Sequence, residues 1–228
     1  MLELLESGLY CEKAGVYIDP WLPVDKAIIT HAHADHSRAG SKHYLAHPYS
    51  EGVMRHRLGK DIPFQGLDYN QKIRINGVDI SLHPAGHIPG SAQIRLVYKG
   101  QVWVVSGDYK LDNDGISTPF EAIKCDTFIT ECTFGLPAFQ WPDQRLVFQD
   151  INDWWRINQS KGLCSVIYAY SLGKAQRILE NLEKEIGSIY VHGAIANTNE
   201  ALKESGVRLS EYLQVNPSLP KKKFQGAK

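Results

Sequence analysis

Six residues, His31-Ala-His33-Ala-Asp35-His36, constrain what this chain can fold into more than any other feature. They follow Ala27–Thr30, an apolar stretch that reads as a strand, so the loop begins where the strand stops. Alternate side chains of an extended chain project the same way, which lets His31 and His33 grip one ion together. Asp35 and His36, past the turn, can face a second ion. If this cluster were core filling, each buried imidazole would need its own hydrogen-bond partner, whereas a metal serves all of them at once.

Two later strand ends carry the same chemistry. His87 lies in Pro84-Ala-Gly-His-Ile-Pro-Gly-Ser91, directly after the Ile80–Leu82 run, and Gly86 and Gly90 allow a sharp turn and a close backbone approach. Alone, His87 reads equally well as a ligand or as a capped loop residue. Asp108 ends Val104-Val-Ser-Gly-Asp108, and its two carboxylate oxygens suit it to bridge two cations that would otherwise repel each other. A lone Gly-Asp is more often a turn; the conjunction of successive strand ends points to ligation.

The rest of the first 130 residues reads as short strands: Val16–Ile18, Ile73–Ile75, Gln93–Tyr98, Val102–Val105 and Phe128–Thr130, with Asn76-Gly77 as punctuation and a hairpin turn at Lys99-Gly100. One helix is predicted at 50–58. Beyond Pro137 the period changes. Val147, Ile151, Trp154 and Trp155 recur at helical spacing, as do Ala175, Ile178, Leu179, Leu182 and Ile186 after Ser171 as N-cap. Val166–Tyr170 and Ile189–Val191 read as buried strands between and after them. The expectation is an α+β chain with a metal-binding domain at 1–137 and a small α/β domain at 138–228.

Composition excludes more than it selects. With 25 basic and 25 acidic residues the chain has no global field that would draw it to nucleic acid or an anionic membrane. The N-terminus is acidic and has no apolar signal region, and no long apolar run occurs, so the expectation is a cytoplasmic protein with no membrane partner. Cys11, Cys125, Cys132 and Cys164 lack C-x-x-C spacing and are expected to be reduced and buried. Lys221-Lys222-Lys223 reads as a solvated tail, and Gly173-Lys174 lacks the glycine spacing of a P-loop. His192, in Tyr-Val-His-Gly-Ala194, reads as a turn or core histidine.

Taken together, His31, His33, Asp35, His36, His87 and Asp108 resemble, in order and spacing, the metal motifs of the metallo-β-lactamase superfamily. Ile129-Thr-Glu131-Cys-Thr-Phe-Gly135 and Ala169-Tyr-Ser-Leu-Gly-Lys-Ala-Gln-Arg177 resemble segments of its β-CASP nuclease branch. Within that branch, Asp19-Pro-Trp21 and the Glu131-Cys-Thr-Phe-Gly135 wording are most similar to bacterial ligase-associated exonucleases, also labelled mRNA 3′-end processing factors.

The resemblance implies an αββα-type metallo-β-lactamase sandwich followed by part of an inserted β-CASP domain, and two-metal hydrolysis of phosphodiester bonds in DNA or RNA, in repair or 3′-end processing. It assigns His31, His33 and His87 to a first metal and Asp35, His36 and bridging Asp108 to a second. It adds Glu131 and Asp19 to Asp35 as catalytic candidates, Glu131 fixing a ligand imidazole and Asp19 orienting the metal loop. On local sequence Asp19 equally starts a turn before Pro20.

Zinc suits these ligands, two ions in a complete relative and at least one here; manganese or iron also fits a mixed N/O site. Implied partners are single-stranded nucleic acid and a DNA ligase or helicase repair system. The branch's motifs B and C have no counterpart between His192 and Lys228, so the chain reads as truncated at its C-terminus, with weak or absent catalysis and low solubility expected. Two rival readings are a glyoxalase-like thioester or ester hydrolase and a non-catalytic metal-binding fragment.

Overall fold

A computed structural model describes residues 1–216, Ser218, Pro220 and Phe224; the Lys221-Lys222-Lys223 run lies outside the described residues. The architecture is α+β and divides into two compact units. The first comprises Met1–Asn113, Ser117–Cys132 and Ala201–Val207. The second comprises Asp114–Ile116, Thr133–Glu200 and the chain from Arg208 onward.

Two sheets make the first unit. One has strand order β1(Leu2–Leu5), β2(Gly8–Cys11), β3(Val16–Ile18), β4(Lys26–Ile28), β5(His43–Ala46), β6(Phe64–Gly66); it is antiparallel through β3 and parallel from β3 to β6. The other runs β11(Thr127–Ile129), β10(Gln101–Val105), β9(Ala92–Tyr98), β8(Val78–Pro84), β7(Lys72–Ile75), antiparallel except for the β10/β11 pair.

Inward residues of both sheets share one core, with Val16, Ile18 and Ile28 from the first packed with Ile80, Leu82, Ile94 and Leu96 from the second. Alternation sets this register, because along β8 a one-residue slip would turn Ile80 and Leu82 outward. Lys99 (φ 49°) and Gly100 (φ 80°) close the β9/β10 hairpin with the paired left-handed residues that a two-residue turn of matching twist requires. The expected helix is α1(Glu51–Leu58). Strands β1, β2, β5 and β6 were not anticipated from sequence.

The second unit contains α2(Gln144–Ser160), α3(Lys174–Asn181), most of α4(Gly193–Glu204) and a parallel pair, β12(Tyr190–Val191) with β13(Leu213–Gln214). Trp155, Leu179, Leu182, Ile189, Val191 and Ala196 form its core. Several expectations are corrected here. On α2 the inward face is Phe148, Asn152 and Trp155, whereas Val147 and Trp154 are exposed. Helix α3 ends at Asn181 and does not reach Ile186: Asn152 donates from Nδ2 to the Asn181 carbonyl at 3.2 Å and accepts from the Glu183 N–H at 3.2 Å, so a buried amide takes over where helical bonds stop.

Gly173, not Ser171, caps the start of α3, its N–H donating to Gln176 Oε1. Val166–Tyr170 is not a buried strand. It joins no ladder among the described residues, and Val166, Tyr168 and Tyr170 face solvent. All four cysteines are free, but only Cys11 is buried; Cys132 and Cys164 are exposed. No helix among the described residues is long and apolar enough to cross a membrane.

Candidate metal centre

Strand ends of the first unit converge on one place. Asp19 follows β3, His31 follows β4, His87 follows β8, Asp108 follows β10 and Glu131 follows β11. His31, His33, His87 and Asp108 each offer a ligand atom, and these atoms lie within 4.8 Å of one another. His31 Nε2 stands 3.0 Å from His33 Nδ1, and His87 Nε2 stands 3.2 Å from the same nitrogen. The Asp108 carboxylate divides between two sides, with Oδ2 at 3.8 Å from His31 and 3.6 Å from His87, and Oδ1 at 3.3 Å from His36 Nε2.

Two hydrogen-bond chains decide which nitrogens are bare. Thr30 Oγ1 donates to Asp19 Oδ2 at 2.5 Å, so at 3.1 Å it accepts from His31 Nδ1, and the His31 lone pair is left on Nε2, pointing into the cluster. Asp19 Oδ1 also accepts the Thr30 N–H at 2.7 Å, and Oδ2 accepts from His36 Nδ1 at 2.7 Å. Asp19 itself sits at φ 42°, a left-handed position that Asp tolerates better than most residues. Of its two sequence readings, the one in which it holds the histidine loop describes its contacts.

Electrostatics follow the same lines. Burial, with His36, His87 and His33 alongside, holds His31 well below the ordinary histidine range. Burial and the charge of His33 lower His87 to about 4, against the opposing charges of Asp108 and Glu131. His36 behaves oppositely: burial is the largest influence and works downward, but hydrogen bonds to Asp108 and Asp19, with their charges, lift it to about 10. The His36 hydrogen bond in turn holds Asp108 below the usual carboxylate range.

A cation fits this donor set. With Nδ1 committed to Asp19, a neutral His36 would aim its Nε2 lone pair at the Asp108 carboxylate. A proton or a metal has to lie between them. Likewise one N–H on His33 Nδ1 serves at most one of the two nitrogens facing it, whereas an ion among them satisfies all three imidazoles.

Asp35 is not in the four-residue group. It is largely exposed, its Oδ2 3.8 Å from His36 Nε2. Glu131 is half-buried and acts on His87 through its charge.

Sequence reading missed the residues that hold the loops. Arg57 of α1 donates from Nη1 to the Ala32 carbonyl at 2.8 Å and to Ser37 Oγ at 3.0 Å, clamping the histidine loop from outside. Ser91 Oγ accepts the N–H groups of His87 (3.0 Å) and Ile88 (3.2 Å). Gly107, at φ 56°, passes so close to Thr30 that a Cβ would lie 2.6 Å from the Thr30 Cβ; a spacing signal, glycine just before a ligand, was available for it.

His192 caps α4, its Nδ1 accepting the Ala194 N–H at 3.2 Å, as its reading as a turn histidine expected. A second His–acid contact joins His83 to Glu121 Oε1 at 3.2 Å and to the buried Ser81 Oγ at 3.0 Å.

Over 208 residues the chain is 29% identical to a probable DNA ligase of Opitutus terrae, covering 90% of this chain and 20% of that protein. It is 28% identical over 122 residues to the RNase aCSPSF2 of Saccharolobus solfataricus, covering 52% of this chain and 24% of the relative. It is 26% identical over 208 residues to an RNase J-like protein of Methanocaldococcus jannaschii, covering 75% and 48%. In its metal motifs and in these relatives the chain is similar to the β-CASP branch of the metallo-β-lactamase superfamily.

No family model matches this chain. Among solved structures, a protein of unknown function from Enterococcus faecalis V583 shares its fold at a TM-score of 0.55 and 14% identity, over 86% of this chain and 52% of that one. The chain spans between a fifth and about half the length of these curated relatives.

Proposed function

We infer that this chain carries the metal site of a β-CASP phosphodiesterase that hydrolyses DNA or RNA. The carrying observation is the shared carboxylate: Asp108 turns one oxygen toward His31 and His87 and the other toward His36, the arrangement that two adjacent cations need. In this reading His31, His33 and His87 hold one ion, and His36, Asp108 and, after a small swing, Asp35 hold the other. Bound there, zinc or manganese ions supply Lewis acidity against the charge that grows on phosphoryl oxygens.

The chain's own residues do the positioning. Thr30 and Asp19 fix the tautomers of His31 and His36, Arg57 holds the histidine loop, Ser91 anchors the loop of His87, and Glu131 lies close enough for its charge to act on His87. The two-sheet unit is read as the αββα metallo-β-lactamase sandwich and the segment 138–228 as part of the inserted β-CASP domain. The Opitutus relative, a probable DNA ligase, supports a setting beside a ligase, and the RNase relatives support RNA processing as its counterpart.

The test loads the purified protein with zinc or manganese, counts bound metal by elemental analysis, and offers labelled single-stranded DNA and RNA beside a thioester panel. Slow oligonucleotide hydrolysis that disappears in the His31→Ala/His33→Ala variant is expected. Thioester turnover with intact oligonucleotides would overturn the nuclease reading.

A further inference from the structure

The stretch Thr133–Trp141, in the second unit, has no charged residue and carries three aromatic rings. All three are open to solvent, Phe134 at 55%, Phe139 at 44% and Trp141 at 68%, and Leu136 among them is 67% exposed. Single exposed apolar side chains are ordinary on protein surfaces. Rings that contact one another and still face water form a patch, and patches mark binding surfaces.

The rings are held in place. Phe134 meets Phe139 with centroids 5.2 Å apart at 79°, and meets Trp141 at 5.2 Å and 90°. Both are edge-to-face contacts, the geometry that aromatic quadrupoles favour. Phe139 and Trp141 thereby lie within 12° of parallel, 6.4 Å apart, so two flat faces share one orientation. The backbone is fixed too: the Phe139 N–H donates to the Leu136 carbonyl at 3.0 Å, and Pro137 and Pro142 restrict φ on either side.

Such faces select their ligand. Parallel aromatic planes reward a planar π-system, whereas an aliphatic protein surface would be met equally well by branched side chains, of which Leu136 is the one exposed large example in Thr133–Trp141. An anionic surface would call for lysine or arginine, also missing from the stretch. The nearest cation in sequence, Arg145, is committed to Asp143 at 2.8 Å. Nucleobases offer what the patch accepts: flat, uncharged faces that stack in succession.

We propose that Phe134, Phe139 and Trp141 form a stacking platform for unpaired bases of single-stranded nucleic acid. The proposal deepens the nuclease reading above and rests on it for the identity of the ligand.

Fluorescence anisotropy tests it, with labelled oligo(dT), oligo(U) and an abasic strand of equal length, in chelator so that nothing is cut. Wild type binds the base-bearing strands more tightly than the abasic one. Trp141→Ala and Phe139→Ala weaken base-bearing strands by on the order of 5- to 100-fold and leave the abasic strand unchanged, while Trp141→Phe keeps most of the affinity because it keeps a face. Unchanged thermal melting of the variants excludes misfolding.

Equal binding of oligo(dT) by wild type and Trp141→Ala overturns the platform, as does a wild type that binds no strand. If Trp141→Ala instead abolishes self-association seen in sedimentation, the platform is overturned in favour of a contact between copies. Metal-loaded protein that stacks bases as described yet turns over thioesters and leaves every strand intact keeps the platform standing and removes the nuclease reading.

Discussion

Asp19 does more at this site than any residue expected to touch a metal. One carboxylate accepts from the Thr30 backbone, the Thr30 hydroxyl and His36, and through Thr30 it also sets the tautomer of His31. Asp19→Asn offers an N–H where His36 Nδ1 needs an acceptor. Metal affinity should fall by roughly 10–100-fold, read by competition with a chromophoric chelator, with far-UV circular dichroism unchanged. An unaltered affinity would mean that the tautomers are set elsewhere.

A histidine away from the metal cluster makes its own contribution to the pH dependence of stability. His47 is buried, stacks on Tyr69 with centroids 3.8 Å apart, and accepts the Tyr49 N–H on Nδ1 at 3.2 Å. Burial lowers it to about 4, against the opposing charge of Asp68. Between that value and the ordinary histidine pKa of about 6.5 the unfolded chain binds the extra proton and the fold does not, so stability falls as pH is lowered through this window. The loss at pH 4 is about 1–3 kcal/mol. His47→Asn, which keeps a cap acceptor but does not titrate there, should have a flatter dependence of urea midpoint on pH between 7 and 4.5. Equal slopes for the two proteins would refute it.

At the scale of elements, α1 matters for where it docks. Its Gly52 packs against the Ala201–Val207 stretch of the same unit: the Gly52 N–H donates to Ser205 Oγ at 2.7 Å, and a Cβ at Gly52 would lie 1.9 Å from the Ala201 carbonyl oxygen. Helix propensity favours Gly52→Ala by about 1 kcal/mol. Overlap with a backbone carbonyl outweighs it, and a net loss of about 1–3 kcal/mol in urea unfolding is expected, together with weaker metal binding because α1 carries Arg57. A stabilised variant would show that the helix docks loosely.

This docking also explains what sequence could and could not reveal. The ligand loop was legible because histidines at alternate positions after a strand have few other uses. Arg57 was not, since it acts only once α1 lies against the loop, and nothing in Glu51–Leu58 marks one arginine from another. Helix α4 escaped notice because Gly193, Asn197, Thr198 and Asn199 are weak helix formers that offset Ala194 and Ala196; buried Asn199, which accepts from Gln176 Nε2 at 2.7 Å, belongs to tertiary structure. Val166–Tyr170 misled because a paired and an unpaired extended segment share the same apolar pattern, and only a neighbouring strand distinguishes them.

Across the whole molecule, the two units bury separate cores and only the first contains the ligand cluster. A metal that binds the folded site and not the unfolded chain stabilises by mass action, about 2.7 kcal/mol at a hundredfold excess over Kd and about 4.1 at a thousandfold. For a chain of this size that corresponds to a rise in Tm of roughly 5–15 °C, removed by chelator. His31→Ala/His33→Ala should melt at the same temperature with and without metal. Hydrogen exchange locates the effect: with metal bound, peptides covering β4, β8 and β10 gain protection, because those strands deliver the ligands, while α2 and α3 exchange as before. Equal protection of α2 and α3 would mean that the second unit senses the ion, and a metal-induced shift in the double variant would mean that the stabilising ion sits outside the His31–His33 cluster.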